Sequence, residues 1–204
     1  MSLLFTLAAY LIGSIPTALL VGKYFFQIDI REHGSNNPGA TNSIRVLGKK
    51  AGIAVLLIDI GKGALAAALP ILFNADIEPL YIGLIAVVGH CFPVFAGFRG
   101  GKAIATTAGT LLVADIQMFF IAYISFIAVI YFTKYVYYGS LSVGLSLLIY
   151  SFFTPDTEHV FVFSIFFLLL IYLHRSNIRN HLNKQEPKIN DKSLKNDRIP
   201  PRKI

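Results

Sequence analysis

Seven apolar stretches, at about residues 3–21, 51–73, 80–95, 104–114, 118–132, 141–153 and 160–173, take up most of this chain and leave little that could coat a soluble core. Hydrophobic residues make up 55% of 204 positions and charged residues only 14%, so the sequence describes one integral membrane domain. We read seven helices. Several fall short of the ~20 residues of a full span, which tilt, bilayer thinning or extension into flanking polar turns would make up. The stretch from Ser2 to Gly22 lacks a basic start and a small-residue cleavage site, so it is expected to stay as the first span and not to be removed as a signal peptide.

Residues 103–132 form either one long helix or two short ones joined at 114–117, and charge placement decides between them. With the N-terminus outside and seven spans, the inner segments 22–50, 98–102, 133–139 and 174–204 carry five, two, one and nine Lys and Arg residues, 17 of the 18 in the chain. The outer loops carry none, while the acids Asp76, Glu78, Asp115, Asp156 and Glu158 fall outside. Fusing the fourth and fifth helices would send Lys134 and the nine-charge tail to the outer face, against the positive-inside tendency. The expectation is therefore an all-α membrane protein with seven transmembrane helices, N-terminus out and C-terminus cytoplasmic. It divides into a membrane domain at 1–182 and a basic tail at 183–204, expected to be mobile and to brush anionic head groups.

The same distribution accounts for the net charge of +7, which in a soluble protein would suggest nucleic acid; no nucleic-acid partner is expected. The single cysteine, Cys91, cannot form an internal disulfide and reads as a small buried filler in preference to a nucleophile paired with His90. No inverted repeat of the transporter kind is visible.

Three polar clusters fall on the inner face. The first, His33 to Arg45, offers small residues for close backbone approach to an oxyanion, neutral donors at Ser35, Asn37, Thr41 and Asn42, and a planar fork at Arg45. A solvated turn would need fewer residues and no terminal arginine. The second contains Gly97-Phe98-Arg99-Gly100-Gly101-Lys102. It is not a Walker A loop, because Ala96 and Ala103 stand where that pattern needs Gly and Ser or Thr. Gly100 and Gly101 are expected to expose amides at a helix start, with Lys102 adding a point charge; the alternative is a purely positive-inside anchor. His90, deeper in the third helix, is either structural or ligand-binding. The third cluster follows the last helix, where His174 and Asn177 would share a face at i and i+3 if the helix continues, and Gln185-Glu186 comes after. Arg175 and Arg179 also suit a helix-end or lipid role. Asp59 and Lys62 share a face of the second helix; an unpaired charge there would be expensive, so a mutual pair or burial inside the bundle is expected.

Taken together, these segments resemble the bacterial membrane-bound acyl-phosphate:glycerol-3-phosphate acyltransferases. The motifs, in order, are Gly34-Ser35-Asn36-Asn37-Pro38-Gly39-Ala40-Thr41-Asn42 with Arg45; Gly89-His90, Phe92-Pro93, Phe98 to Lys102 and Ala105-Thr106; and His174, Asn177-Ile178 and Glu186. Asp59, Lys62-Gly63 and Ser140-Leu141 also match. The resemblance runs from the first helix to about Lys188. Asn36, Arg99, Ala103 and Asn180 stand where the family usually has Gly, Lys, Gly and a basic residue.

The resemblance implies transfer of a fatty acyl group from acyl phosphate to the primary hydroxyl of sn-glycerol 3-phosphate, giving 1-acyl-glycerol 3-phosphate (lysophosphatidic acid) and phosphate. It implies no metal or other cofactor and a site facing the cytoplasm in the bacterial inner membrane. The expected partners are the two substrates, membrane lipids and, transiently, a soluble enzyme that forms acyl phosphate. Ser35, Arg45, Lys102, His174 and Asn177 are the catalytic candidates; Asn37, Gly39, Thr41, Asn42, Gly100, Gly101 and Ser140 are candidates for substrate binding; Asp59, Lys62, His90 and Glu186 are structural. Arg45 and Lys102 would hold the acceptor phosphate with Ser140 and Asn177. Ser35 and the amides around Gly39 and Gly100 would grip the donor phosphate and stabilise developing negative charge. His174 would orient the acceptor or take its proton, with a substrate phosphate oxygen as a rival base. The competing reading is a transporter or exchanger of a phosphorylated solute, which would place its polar groups near the bilayer midplane.

Overall fold

The structure, a computed structural model, describes residues 2–155 and 157–201, and all regular structure among them is helical. The apolar helices are α1 (Ser2–Gly13), α4 (Lys49–Leu72), α5 (Pro79–Cys91), α6 (Ile104–Ala114), α7 (Ile116–Thr133), α8 (Val136–Ser151) and α9 (Thr157–Leu173). Shorter pieces are α2 (Thr17–Val21), continued by a π turn at Gly22–Phe26; α3 (Ala40–Val46), inside the first polar cluster; and α10 (Arg175–Leu182). Four helical segments are long and apolar enough to cross a membrane: Ser2–Phe26, Lys49–Leu72, Pro79–Ala96 and Ile116–Thr133. A fifth arises if α9 and α10, bent by 53° at their junction, count as one. The chain is thus a multi-pass, all-helical membrane protein. Asp115 is extended (φ −159°, ψ 107°), so residues 103–132 are two helices, α6 and α7. The expected outer acid Asp156 and the tail residues Arg202 and Lys203 lie outside the described residues.

The described residues form two compact units, one running up to Asp115 and resuming at Lys192, the other Ile116–Asp191. The end of the tail, from Lys192, groups with the first unit.

In the first unit, α4 packs against α1, α5 and α6, and α5 packs against α1 and α6. Phe5 and Ala9 of α1, Ala66 of α4, and Ile82 and Ala86 of α5 fill one buried cluster. Without a hydrophobic drive between helices in lipid, close approach supplies the packing energy, and small residues permit it. A Cβ on Gly63 of α4 would run into the Thr106 carbonyl of α6, and one on Gly109 of α6 into the Ile60 carbonyl of α4. Between α2 and α4 a second cluster joins Ala18, Ile30, Val46, Leu47 and Val55, and Ile199 of the tail packs onto it. Residues 192–199 rest on α3: the Ile199 amide donates to the Val46 carbonyl at 2.8 Å, and Asp197 pairs with Arg45. Ile199 and Asp197 thus anchor the end of the tail.

In the second unit, α8 packs between α7 and α9. Phe120, Ile124, Ile127 and Tyr131 of α7 are exposed, the pattern of a lipid-facing helix. The Ile189 amide donates to the Lys134 carbonyl at 2.8 Å, tying residues after α10 back to the turn between α7 and α8.

Candidate active site

The first polar cluster folds as a loop leading into α3, and Asn42 organises it. Its side-chain oxygen accepts from the Ser35 amide at 2.9 Å, while its Nδ2 donates to the His33 carbonyl at 2.9 Å and the Ile30 carbonyl at 3.3 Å. Only 1% of its surface is exposed, and these bonds, made inside the loop, give Asn42 a part in shaping the loop. The Gly39 amide is likewise spent, on the Asn37 carbonyl at 2.9 Å, so it is not a free oxyanion donor. What the loop presents outward is Ser35 and Thr41, both exposed, and the half-buried Asn37. The Ser35 hydroxyl keeps no partner among the described residues. Arg45, on the last turn of α3, is half-buried and its Nε donates to Asp197 Oδ2.

The glycine loop is fastened to the end of α5. The Gly100 amide donates to the Cys91 carbonyl and the Gly101 amide to the His90 carbonyl, each at 3.2 Å. A Cβ on Gly100 would strike those carbonyls and one on Gly101 the His90 ring. The expectation that these two amides lie open to a phosphate is therefore corrected: they are glycines because the loop lies against α5, and their N–H groups are already donated. α6 starts at Ile104, with Ala103 as its N-cap. The basic side chains of this loop are Lys102, half-buried, and Arg99, exposed. Cys91 is buried and unpaired, as expected of a filler.

A residue that the sequence reading counted only as one more positive charge ties the two loops together. Arg31 grips Asp29 with two arms, Nε to Oδ1 at 2.9 Å and a terminal nitrogen to Oδ2 at 2.6 Å, while its NH1 donates to the Ala96 carbonyl at 2.9 Å, next to Gly97. The Arg31 guanidinium holds the Asp29 carboxyl down at about 2, and Asp29 in turn raises Arg31. The Asp29-x-Arg31 spacing was the available signal, since bidentate carboxylate–guanidinium pairs are the geometry that fixes an arginine.

Beneath the loops, Asp59 and Lys62 are paired at 2.9 Å and almost wholly buried. Asp59 Oδ1 also accepts from Thr17 Oγ1 at 2.9 Å, and Lys62 Nζ donates to the Ile15 carbonyl at 3.0 Å. His90 Nδ1 is 3.7 Å from Asp59 Oδ1, too far for a hydrogen bond, and has no partner. A small cleft in this unit is lined by Thr17, Pro38, Lys62, His90, Arg99 and the Gly100-Gly101 pair, so both polar loops and the buried charges border one space.

In the second unit, His174 sits at the bend between α9 and α10, only 2% exposed. Its Nδ1 lies 2.9 Å from the Leu170 carbonyl; a carbonyl only accepts, so Nδ1 carries the proton and Nε2 is the basic nitrogen of the neutral ring. The helix does not run straight through His174, so the expected i, i+3 face is formed across a bend. Asn177 Nδ2 donates to Glu186 Oε1 at 2.6 Å, which gives Glu186 the task of orienting the amide. Ser140 is buried and its hydroxyl turns back to the Val136 carbonyl at 3.2 Å.

Comparison with known proteins follows the same lines. Residues 3–184 match the family model described as glycerol-3-phosphate acyltransferase. The chain is 50% identical over 186 residues to the glycerol-3-phosphate acyltransferase of Bacillus subtilis (strain 168), covering 91% of this chain and 96% of that protein. It is 49% identical over 191 residues to the enzyme of the same name from Geobacillus kaustophilus (strain HTA426), covering 93% and 96%. Two crystal structures of PlsY (YgiH), an integral membrane glycerol 3-phosphate acyltransferase, share the fold at 31% identity. The glycerol 3-phosphate form has a TM-score of 0.84 and covers 94% of this chain and 96% of that one; the lysophosphatidic acid form has a TM-score of 0.80 and covers 91% and 94%.

Proposed function

The chain belongs to the glycerol-3-phosphate acyltransferase family, and from that membership we propose that it transfers a fatty acyl group from acyl phosphate to the primary hydroxyl of sn-glycerol 3-phosphate. The products are 1-acyl-sn-glycerol 3-phosphate and inorganic phosphate. The observation that carries this reading is the family match at half identity, together with two basic loops fastened to each other through Arg31 and Ala96. A reaction with two phosphorylated substrates needs two fixed sets of cations, and a clamp between loops preserves their spacing.

Arg45 and Lys102 are assigned to the acceptor phosphate, with Asn177 and Ser140 assisting. A guanidinium fork suits a phosphate better than a point charge does, so Arg45 orients and Lys102 neutralises. The exposed Ser35 hydroxyl, with Thr41 and Asn37, is assigned to the donor phosphate. The acceptor hydroxyl oxygen bonds to the acyl carbon, the carbon–oxygen bond to phosphate breaks, and phosphate leaves with that electron pair. The hydroxyl proton passes to a base: His174 is assigned to that task, and a phosphate oxygen of the substrate is its rival because an acyl phosphate is already activated. Asp59, Lys62, His90 and Glu186 keep structural roles.

The site is placed at the cytoplasmic face of a bacterial inner membrane, with seven spans and the N-terminus outside. The support is the charge distribution and the grouping of both basic loops with the basic tail. A transporter of a phosphorylated solute is disfavoured because the deep charges, Asp59 and Lys62, neutralise each other. The test is to give purified protein labelled glycerol 3-phosphate with acyl phosphate, acyl-CoA or acyl carrier protein in turn. Labelled lysophosphatidic acid should form with acyl phosphate alone; product from acyl-CoA instead, or solute uptake into sealed vesicles without acylation, overturns the reading.

A further inference from the structure

The tail reaches Arg45, the residue assigned above to the acceptor phosphate. The family match ends at residue 184, yet residues 192–199 return to the first unit and lie on α3. Three contacts hold them. The Ile199 amide caps the Val46 carbonyl at 2.8 Å, one of the carbonyls that the end of a helix leaves without an internal partner. The Ile199 side chain packs on the cluster of Ile30, Val46 and Val55. The Arg198 guanidinium lies over Gly48, at φ +98°, where any side chain would collide with it. Between these anchors Asp197, the one acid among residues 192–201, pairs with Arg45.

We propose that Asp197 is an intramolecular competitor for Arg45, occupying the place of the acceptor's phosphate and so setting the affinity of this enzyme for glycerol 3-phosphate. The inference rests on the assignment of Arg45 to that phosphate. Asp197 engages Arg45 through Nε, a one-point contact between side chains that are 23% and 31% exposed, respectively. A phosphate dianion brings more charge and bonds a guanidinium at two points, so it displaces the carboxylate. Displacement is not free, because a tethered carboxylate acts at an effective concentration of order mM and raises the apparent acceptor KM by the ratio of that concentration to its own dissociation constant. Ile199 and Arg198 hold the strap in place while Asp197 exchanges.

The experiment compares steady-state kinetics of the full-length enzyme with Asp197→Asn, Asp197→Glu, Ile199→Asp and a deletion of residues 192–204. Asp197→Asn removes the competing charge with the strap intact; Ile199→Asp releases the strap with the charge intact. Both, and the deletion if it folds, should lower the acceptor KM by roughly two- to ten-fold, the range of a partly exposed ion pair, with kcat and the donor KM within about two-fold. Asp197→Glu should keep the parental KM, and raising salt should narrow the gap between parent and Asp197→Asn. An acceptor KM that stays put or rises in Asp197→Asn overturns the proposal and makes Asp197 a support for Arg45. Arg45→Ala separates the two levels. If it raises the acceptor KM while Asp197→Asn does nothing, only the competitor idea fails; if it leaves that KM unchanged, the phosphate-holding assignment fails and takes the competitor with it.

Discussion

Asn36 and Ala103, which stand where the family usually has glycine, are both left-handed, at φ 59° and 58°. Glycine adopts that conformation without strain and asparagine tolerates it, while alanine costs ~1–2 kcal/mol. The loops therefore keep the backbone path that glycine would take, and the substitutions are absorbed as local strain. Ala103 is buried, so Ala103→Gly gives up a packed methyl, worth ~0.8 kcal/mol, and gains chain entropy in the unfolded state while relieving that strain. These nearly cancel, and thermal unfolding in detergent should show a change of less than about 1 kcal/mol with activity retained. Ala103→Val, which adds β-branching at a positive φ, should cost at least ~2 kcal/mol and raise the KM for substrates held by neighbouring Lys102. Equal stability of the two variants would sink this account. The sequence singled out its candidate residues because Ser, Asn, Arg and Gly in that density have few uses inside a membrane protein. Their division of labour was not legible there. Asn42 and Ser35 look alike as polar donors, and only the fold shows that Asn42 has spent its bonds on Ser35, His33 and Ile30. Gly100 and Gly101 suggested open amides for the same reason, and the partners of those amides, Cys91 and His90, lie at the end of α5, out of reach of any local pattern.

At the scale of elements, the Asp29–Arg31 clamp makes two loops behave as one. Its pH dependence has a definite sign. The Asp29 carboxyl is held at about 2, below the 3.8 of an unperturbed group, chiefly by its hydrogen bond from Arg31, so the clamp contributes fully above pH 3.8 and is lost as pH falls through about 2. Hydrogen exchange of the Ile30–Glu32 amides, corrected for intrinsic rates, should stay flat in the parent between pH 7 and pH 4. Asp29→Asn should show faster exchange across that whole range and a looser glycine loop near Ala96. Protection that fades already at pH 4 in the parent would mean the pair is not what holds these amides. The long apolar helices were readable from composition, and Asp115 marked the break between α6 and α7. The short helices α3 and α10 carry too many polar residues to show a hydrophobic period; packing on α4 and the bend at His174 define them instead. The docking of the tail was hidden for a similar reason. A single Ile and a single Asp in a basic stretch make no pattern until α3 supplies the groups they meet.

For the molecule as a whole, the difficult element is α6. Its 11 residues rise only ~16 Å, about half the thickness of the hydrocarbon core. If α6 crosses, the glycine loop before it must complete the span at membrane depth, where unbonded backbone is costly unless it lines a wet cavity. The bonds from Gly100 and Gly101 to the end of α5 meet that requirement, and the cleft bordered by Lys62, His90 and Arg99 provides the water-facing side. If α6 did not cross, every later element would change sides, and Lys134 and the basic tail would face outward, against the bias of 17 of 18 basic residues. Cysteine labelling in intact cells decides between these. In a Cys91→Ala background, Asn74→Cys and Thr154→Cys should react with an impermeant maleimide added outside, while Lys50→Cys and Ser193→Cys should react only after the membrane is opened. Labelling of Ser193→Cys from outside while Lys50→Cys stays protected would put the tail and α3 on opposite sides of the bilayer, which the Asp197–Arg45 pair does not allow, and would overturn both the seven-span topology and the docking of the tail on α3.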